Sequence, residues 1–263
     1  MNIDSKSVKS IHITFDAGSL VPAPYHYAYT LDIQLQQALA NYKIEYLHRE
    51  ELSEEEITDE GFTLDDDWQW EGKLTEAWQQ ALHQQVDKQS WPKKPSRPKP
   101  EEGSLHIRLL DHEDKVLFEG LPADLSSWEY FMQELVQGIY EIARREAPFQ
   151  LVYKEIGSGN NQHQIFLEAS FAQRTITARQ QHAGMEEEFA QPDWKQLKSL
   201  MKSIYVPDYD YEQASIQEPK KRGKYLATGE GLWFKFGESL TEPEARSNSL
   251  ERLEQDLKGL FKK

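Results

Sequence analysis

The sequence predicts an α+β protein, with antiparallel sheet and amphipathic helices packed on one face. Three observations predict it. From Tyr25 to Gln36 the chain alternates without a break. Tyr25, Tyr27, Tyr29, Leu31, Ile33 and Leu35 are apolar or aromatic, and the residues between them are small or polar. A strand turns successive side chains to opposite faces, so the odd positions line a core and the even ones face water. Shorter alternations recur along the chain, and a strand with one buried face belongs to an antiparallel sheet. Between the alternations lie helical periods, the clearest being Trp128, Phe131, Met132, Leu135, Ile139, Ile142 and Ala143. Such a broad apolar face packs across a sheet.

In chain order, Ile11, Ile13 and Phe15 give a first strand. Asp16 to Pro24, with Gly18 and two prolines, reads as a loop. The Tyr25–Gln36 strand follows, and Tyr42, Ile44 and Tyr46 give its antiparallel neighbour. Asp67 is placed to cap a helix through Trp68, Leu74, Trp78 and Leu82, although Gly72 weakens its first turn. Leu105, Ile107 and Leu109, then Val116 to Glu119, form a hairpin around the turn His112–Lys115. Ser126 and Glu129 have the spacing of a capping box for the Trp128 helix, which Pro148 stops.

Further strands follow at Phe149–Tyr153, Ile165–Phe171 and Ile176–Ala178, with turn chemistry at Gly157–Asn161. Asp193 caps a helix through Trp194, Leu197, Leu200, Met201 and Ile204. Leu232, Phe234 and Phe236 give a late strand, and Leu250, Leu253, Leu257 and Leu260 a last helix.

Residues 90–103 contain four prolines among basic residues, a composition that favours an extended connection. The expected organisation is therefore an N-terminal α+β unit at 1–89, a linker or loop at 90–103, and a C-terminal α+β unit at 104–263. The two units would make one continuous domain if 90–103 is only a loop. Pro95 and Pro98 form a PxxP pair in that stretch.

Two segments resemble each other. YTLDIQL at 29–35 resembles IFLEASF at 165–171. Acidic runs follow, Glu54–Glu56 in one and Glu186–Glu188 in the other. Asp67-Trp68 and Asp193-Trp194 then match without a gap as helix starts. Internal duplication of a strands–helix unit would give this pattern, and so would convergence of two ordinary sheets.

The chain of 263 residues carries a net charge of −15, which argues against nucleic-acid phosphates as partners. No apolar run is long enough for a membrane span, and the first residues lack a signal-peptide core, so the cytoplasm is the expected location. There is no cysteine, which removes disulfides and thiolate chemistry. Residues 50–67 hold ten carboxylates and no Lys or Arg. Such a run stays solvated unless a cation or a basic partner meets it.

No phosphate loop, HExxH or nucleophile elbow occurs. The histidines are scattered, with no helical pair, so neither a metal nor a cofactor is expected. The binding residues singled out are Tyr25, His26 and Tyr27, where Pro22 and Pro24 stiffen an aromatic approach, and Asp65, Asp66 and Asp67. The plain reading of Tyr25 and Tyr27 is the start of a core face. That of the aspartates is a favourable helix N-terminus. Lys220, Lys221 and Arg222 beside the glycines of 224–231 give a candidate anion loop. Asp32 and Glu168 fall at equivalent places in the two similar segments, on the polar strand faces.

These features favour a non-catalytic binding protein that meets another protein, with a basic surface, through acidic or aromatic groups. The alternatives are a hydrolase-like enzyme with a carboxylate and histidine site assembled from distant residues, and a structural assembly subunit.

Overall fold

Alternation makes the strands, and their pairing makes two six-stranded sheets and a two-stranded one among the described residues. The computed structural model describes residues 1–93, 103–159 and 161–261, and divides the chain into Met1–Arg145 and Glu146–Lys263. In the first unit a short 3₁₀ turn, Ser5–Ser7, leads into β1 (Val8–Asp16). Then come β2 (Tyr27–Gln34), β3 (Leu39–Tyr46), α1 (Glu54–Asp59), β4 (Trp68–Lys73) and α2 (Glu76–Lys88). The unit closes with β5 (Ser104–Asp111), β6 (Val116–Gly120) and α3 (Leu125–Ile142). The sheet order is β4-β3-β2-β1-β5-β6, and every neighbouring pair is antiparallel.

The alternation of β2 is kept as read from Tyr29 onward: Leu31, Ile33 and Leu35 are buried and Thr30, Asp32 and Gln34 are exposed. Ile11, Ile13, Ile107 and Leu109 line the same face. Helices α2 and α3 cover it with Trp78, Leu82, Trp128, Leu135 and Ile139, all fully buried. Each such side chain contributes roughly 1.5–3 kcal/mol on leaving water.

Three sequence expectations are corrected here. Trp68 does not open a helix. Trp68 and Trp70 alternate with exposed Gln69 and Glu71 along the edge strand β4, and the helix starts only after Thr75. Gly72 sits in that strand with the Trp70 indole over it, where an added Cβ would lie 2.3 Å from the ring. Asp67 accepts the Tyr46 backbone N–H at 2.7 Å instead of capping a helix. On α3 the cap is Asp124, whose carboxylate accepts the Ser127 N–H at 3.1 Å, so Ser126 lies inside the helix.

The division also differs from the one expected at 90–103. β5 and β6 complete the sheet of β1–β4, so residues 104–145 belong with the N-terminal unit and the break follows Arg145. Trp91 is fully buried in that unit's core, and its N–H donates to the Met1 carbonyl at 2.9 Å. The PxxP pair and most of the proline-rich stretch lie outside the described residues.

The second unit contains β7 (Phe149–Ile156), β8 (Gln162–Ser170), β9 (Thr175–His182), β10 (Glu188–Ala190) and α4 (Leu197–Tyr205). After these come β11 (Asp208–Tyr209), β12 (Gly223–Ala227), β13 (Phe234–Lys235), β14 (Leu240–Thr241) and α5 (Ser249–Gly259). Its main sheet runs β10-β9-β8-β7-β12-β13, and β11 pairs with β14 apart from it. Leu151, Ile165, Leu167, Leu200, Ile204, Leu253 and Leu257 fill a core of its own. The segment from Lys224 begins as β12 and not as a loop. Tyr225, Leu226, Ala227 and Thr228 are all buried, and a strand covered on both faces shows no alternation to read.

Apart from α1 and the β11–β14 pair, the two units follow the same order: four antiparallel strands, a helix, two more strands and a final helix. Their registers also correspond. Leu31 lies between Ile13 and Tyr42, and Leu167 lies between Leu151 and Ala178. The similar segments 29–35 and 165–171 fall on β2 and β8. The gapless match of the two Asp-Trp pairs does not hold, because Asp67-Trp68 leads into a strand. Asp193 caps the 3₁₀ turn Trp194–Gln196 ahead of α4, accepting the Lys195 N–H at 2.8 Å.

Candidate functional site

The acidic segment is built around Arg49, the residue just before it. His48 takes a left-handed conformation, φ 63°, and turns the chain out of β3 into the 3₁₀ turn Arg49–Glu51. The Arg49 side chain then folds inward, only 12% exposed. Its Nη1 donates to Asp66 Oδ2 at 2.7 Å and to the Thr63 carbonyl at 3.0 Å, and its Nε donates to the Pro24 carbonyl at 3.3 Å. The guanidinium lies over the rings of Tyr46 and Phe62, 4.0 and 4.6 Å from their centroids. One arginine thus joins the proline-bounded loop before β2 to the acidic loop before β4.

The candidate residues take different parts in this arrangement. Tyr25 lies outside β2 and is exposed, with its ring edge against Phe62 and its hydroxyl donating to Glu60. It therefore does not begin the core face. His26 is buried, hydrogen-bonded to Asp16 Oδ1 at 3.0 Å and 5.2 Å from the ring of His48. Tyr27 is half-buried against Phe15 and Tyr46.

The three aspartates diverge. Asp66 turns inward to Arg49 and accepts the Thr63 N–H and hydroxyl at 2.9 and 2.6 Å. Burial pushes its carboxyl up, but the Thr63 hydrogen bonds and Arg49 outweigh this and hold it below the usual carboxylate range. Asp67 holds β3, as above, and Asp65 faces solvent.

The remaining carboxylates divide in the same way. Glu56 completes a capping box with Ser53 at the start of α1, and Glu60 holds Tyr25. Glu50, Glu51, Glu54, Glu55, Asp59 and Asp65 are exposed and make no ion pair among the described residues. Leu64, 57% exposed, lies beside them.

Lys220, Lys221 and Arg222 are exposed on the approach to β12, and among the described residues the Lys221 carbonyl is engaged by the Tyr225 hydroxyl at 3.1 Å. The glycine-rich loop expected beside them is strand as far as Ala227, and its glycines, Gly229 and Gly231, follow the strand with positive φ. Asp32 pairs with His12 at 2.5 Å and Glu168 accepts from Gln150 at 3.1 Å, each on the polar face of its own sheet.

Sequence reasoning missed a second polar cluster. In the second unit a recess of about 420 Å³ is lined by Glu155, Gly157, Asn161, His163, Gln180, His182 and Lys258. The sequence signal was present: polar residues occupy core-facing positions at the ends of three strands. Their convergence depends on register, which the sequence does not state.

Comparison with protein-family models, with curated proteins and with solved structures returns no match. Among the described residues no helix is long and apolar enough to cross a membrane, and no three ligating side chains converge on a metal position.

Proposed function

We propose that the chain is a non-catalytic binding protein whose first unit presents an acidic surface, with aromatic and aliphatic anchors, to a basic protein. One observation carries the reading: six carboxylates of residues 50–67 are exposed and make no ion pair among the described residues, on a segment whose neighbours are fixed. Arg49, Asp66, Asp67 and the Ser53–Glu56 box hold the backbone before any partner arrives, so little ordering remains to oppose binding. The six charges favour rapid encounter with a basic surface, an attraction screened beyond about 8 Å at physiological salt. Tyr25 and Leu64 supply contact area beside them.

The test replaces Glu50, Glu51, Glu54, Glu55, Asp59 and Asp65 by Gln or Asn in the full chain. Glu56, Glu60, Asp66 and Asp67 are left in place because they support the fold. The partner captured by wild type from native lysate is purified, and its affinity for both proteins is measured at low and high salt. The expected result is binding at least tenfold weaker, with a flatter salt dependence, in the variant. Equal affinity and equal salt dependence would reject the acidic surface.

A hydrolase-like reading has one specific observation in its favour, the shared recess of Glu155 and His163. Lys258 bonds to Glu155 and holds its carboxyl below the usual range against the opposing effect of burial, which suits a hydrogen-bond acceptor rather than a proton donor. The common strand order and register of the two units support descent from one duplicated unit, with the recess and the acidic segment as separate elaborations.

A further inference from the structure

The recess in the second unit lies on the core side of the sheet, where apolar residues are expected. Strand β7 runs Leu151, Tyr153, Glu155 along that face, β8 runs Leu167, Ile165, His163, and β9 runs Ala178, Gln180, His182. All three turn from apolar to polar at the same end. Solvent exposure does not account for the change on β8, where His163 is only 7% exposed, while Glu155, Gln180 and His182 are half-buried. Pairing sets His163 opposite Glu155 on one side and His182 on the other. The two imidazoles stack, 3.9 Å between centroids and 5° from parallel.

The charges around the recess cancel locally. Lys258, from α5, donates to Glu155 at 2.9 Å and to Glu254 at 2.6 Å, and Lys224 donates to Glu254 at 2.5 Å. Two carboxylates and two ammonium groups leave no excess charge for an ionic ligand to meet. The uncommitted groups are two imidazoles and a side-chain amide. His163 uses one ring nitrogen on Gln180, at 3.0 Å, and its other nitrogen makes no hydrogen bond among the described residues. The ring of His182 and the side-chain amide of Asn161 are likewise without a hydrogen bond there. These groups both donate and accept, and the imidazole stack gives a flat, weakly polar wall.

Hydroxyl groups donate and accept at once, and the C–H face of a ring packs on a flat aromatic wall. A volume of about 420 Å³ lies within the range of small-molecule pockets. We propose that this recess binds a neutral, polyhydroxylated small molecule, a sugar or cyclic polyol of one or two rings. The site is independent of the acidic surface of the first unit.

The test follows the imidazole NMR signals of His163 and His182 in the full-length protein. D-glucose, D-galactose, trehalose and myo-inositol are titrated as neutral probes, and acetate and inorganic phosphate as charged ones. The expected result is a saturable shift of both imidazoles with at least one neutral probe. Asn161→Ala and His182→Ala should each weaken it by about tenfold, the effect of losing one or two hydrogen bonds. Asn161 is exposed, so its variant keeps the fold even if the histidine variant does not, and the melting temperature checks this. The six-carboxylate variant of the first unit should bind the same probe as wild type does. No saturation with any neutral probe, tighter binding of acetate or phosphate, or undiminished binding in both recess variants would overturn the assignment.

Discussion

Arg49→Ala should destabilise the first unit far more than an ordinary surface substitution. The side chain is 12% exposed and Asp66 is 22% exposed, so the pair is mostly out of water. Removing one member of a buried pair costs about 3–5 kcal/mol. Asp66 keeps its two Thr63 bonds and some water, which places the loss near the lower end or below it, at about 2–3 kcal/mol. Losing the stacking on Tyr46 and Phe62 adds about 0.5 kcal/mol for each ring. The total is about 3–4 kcal/mol, or about 10 °C in the melting temperature of a unit this size.

Urea denaturation measures the change, and limited proteolysis shows whether residues 50–67 loosen first. Arg49→Lys should recover the charge but not the fork, leaving about half the loss. The acid sensitivity should shrink as well. The Asp66 carboxyl is held below its ordinary value, so its contribution is present above about pH 4 and disappears as the pH falls through the folded value. A cost under about 1 kcal/mol, with unchanged proteolysis, would refute the idea that Arg49 ties the two loops together.

Three other perturbations test other parts of the account. Gly72→Ala drives a methyl into the Trp70 indole and should cost about 1–3 kcal/mol in urea denaturation, with a change in tryptophan emission. Glu242 caps the start of α5 by accepting from the Ser247 hydroxyl, the Ser249 hydroxyl and N–H, and the Leu250 N–H. Burial works against its charge, but these bonds lower its carboxyl to about 2. Its stabilisation is therefore present above the ordinary carboxylate value and is lost as the pH falls towards 2, and Glu242→Gln should flatten acid unfolding of the second unit. Burial lowers the His163 pKa, and His182 and Lys258 lower it further against Gln180 and Glu155. The unfolded chain takes up the proton first, so stability should decline as the pH drops through about 6.5, by no more than about 1.4 kcal/mol per pH unit. His163→Gln should remove that slope in pH-dependent melting.

How much of this is legible in the sequence depends on where each signal is stored. The faces of β2 and α3 could be read because their periods are local: Leu31, Ile33 and Leu35 in one, Trp128, Leu135 and Ile139 in the other. β4 could not. Trp68, Leu74, Trp78 and Leu82 fit a helical spacing, and only pairing with β3 shows that the first of them belongs to a strand. β12 was hidden because both its faces are buried. The acidic surface was visible as composition, but Arg49, which gives it shape, reaches Pro24, Thr63 and Asp66 through tertiary contacts that no spacing encodes. The histidine stack is a matter of register in the same way: His163 and His182 are far apart in sequence and adjacent across two strands.

The position of β1 also sets an order of events during synthesis. It sits inside its sheet, with β2 following at once but β5 arriving only from Ser104. A growing chain therefore holds β1 with one edge open until the ribosome has delivered β5. At ordinary elongation rates that interval is on the order of ten seconds, long compared with the microseconds in which hairpins form. Throughout it the nascent protein carries a strand, with Ile11 and Ile13 on its apolar face, that has one unpaired edge, a template for any other extended segment within reach. Slower translation between β1 and β5 should therefore lower the yield of folded chain, a consequence that the finished fold does not display.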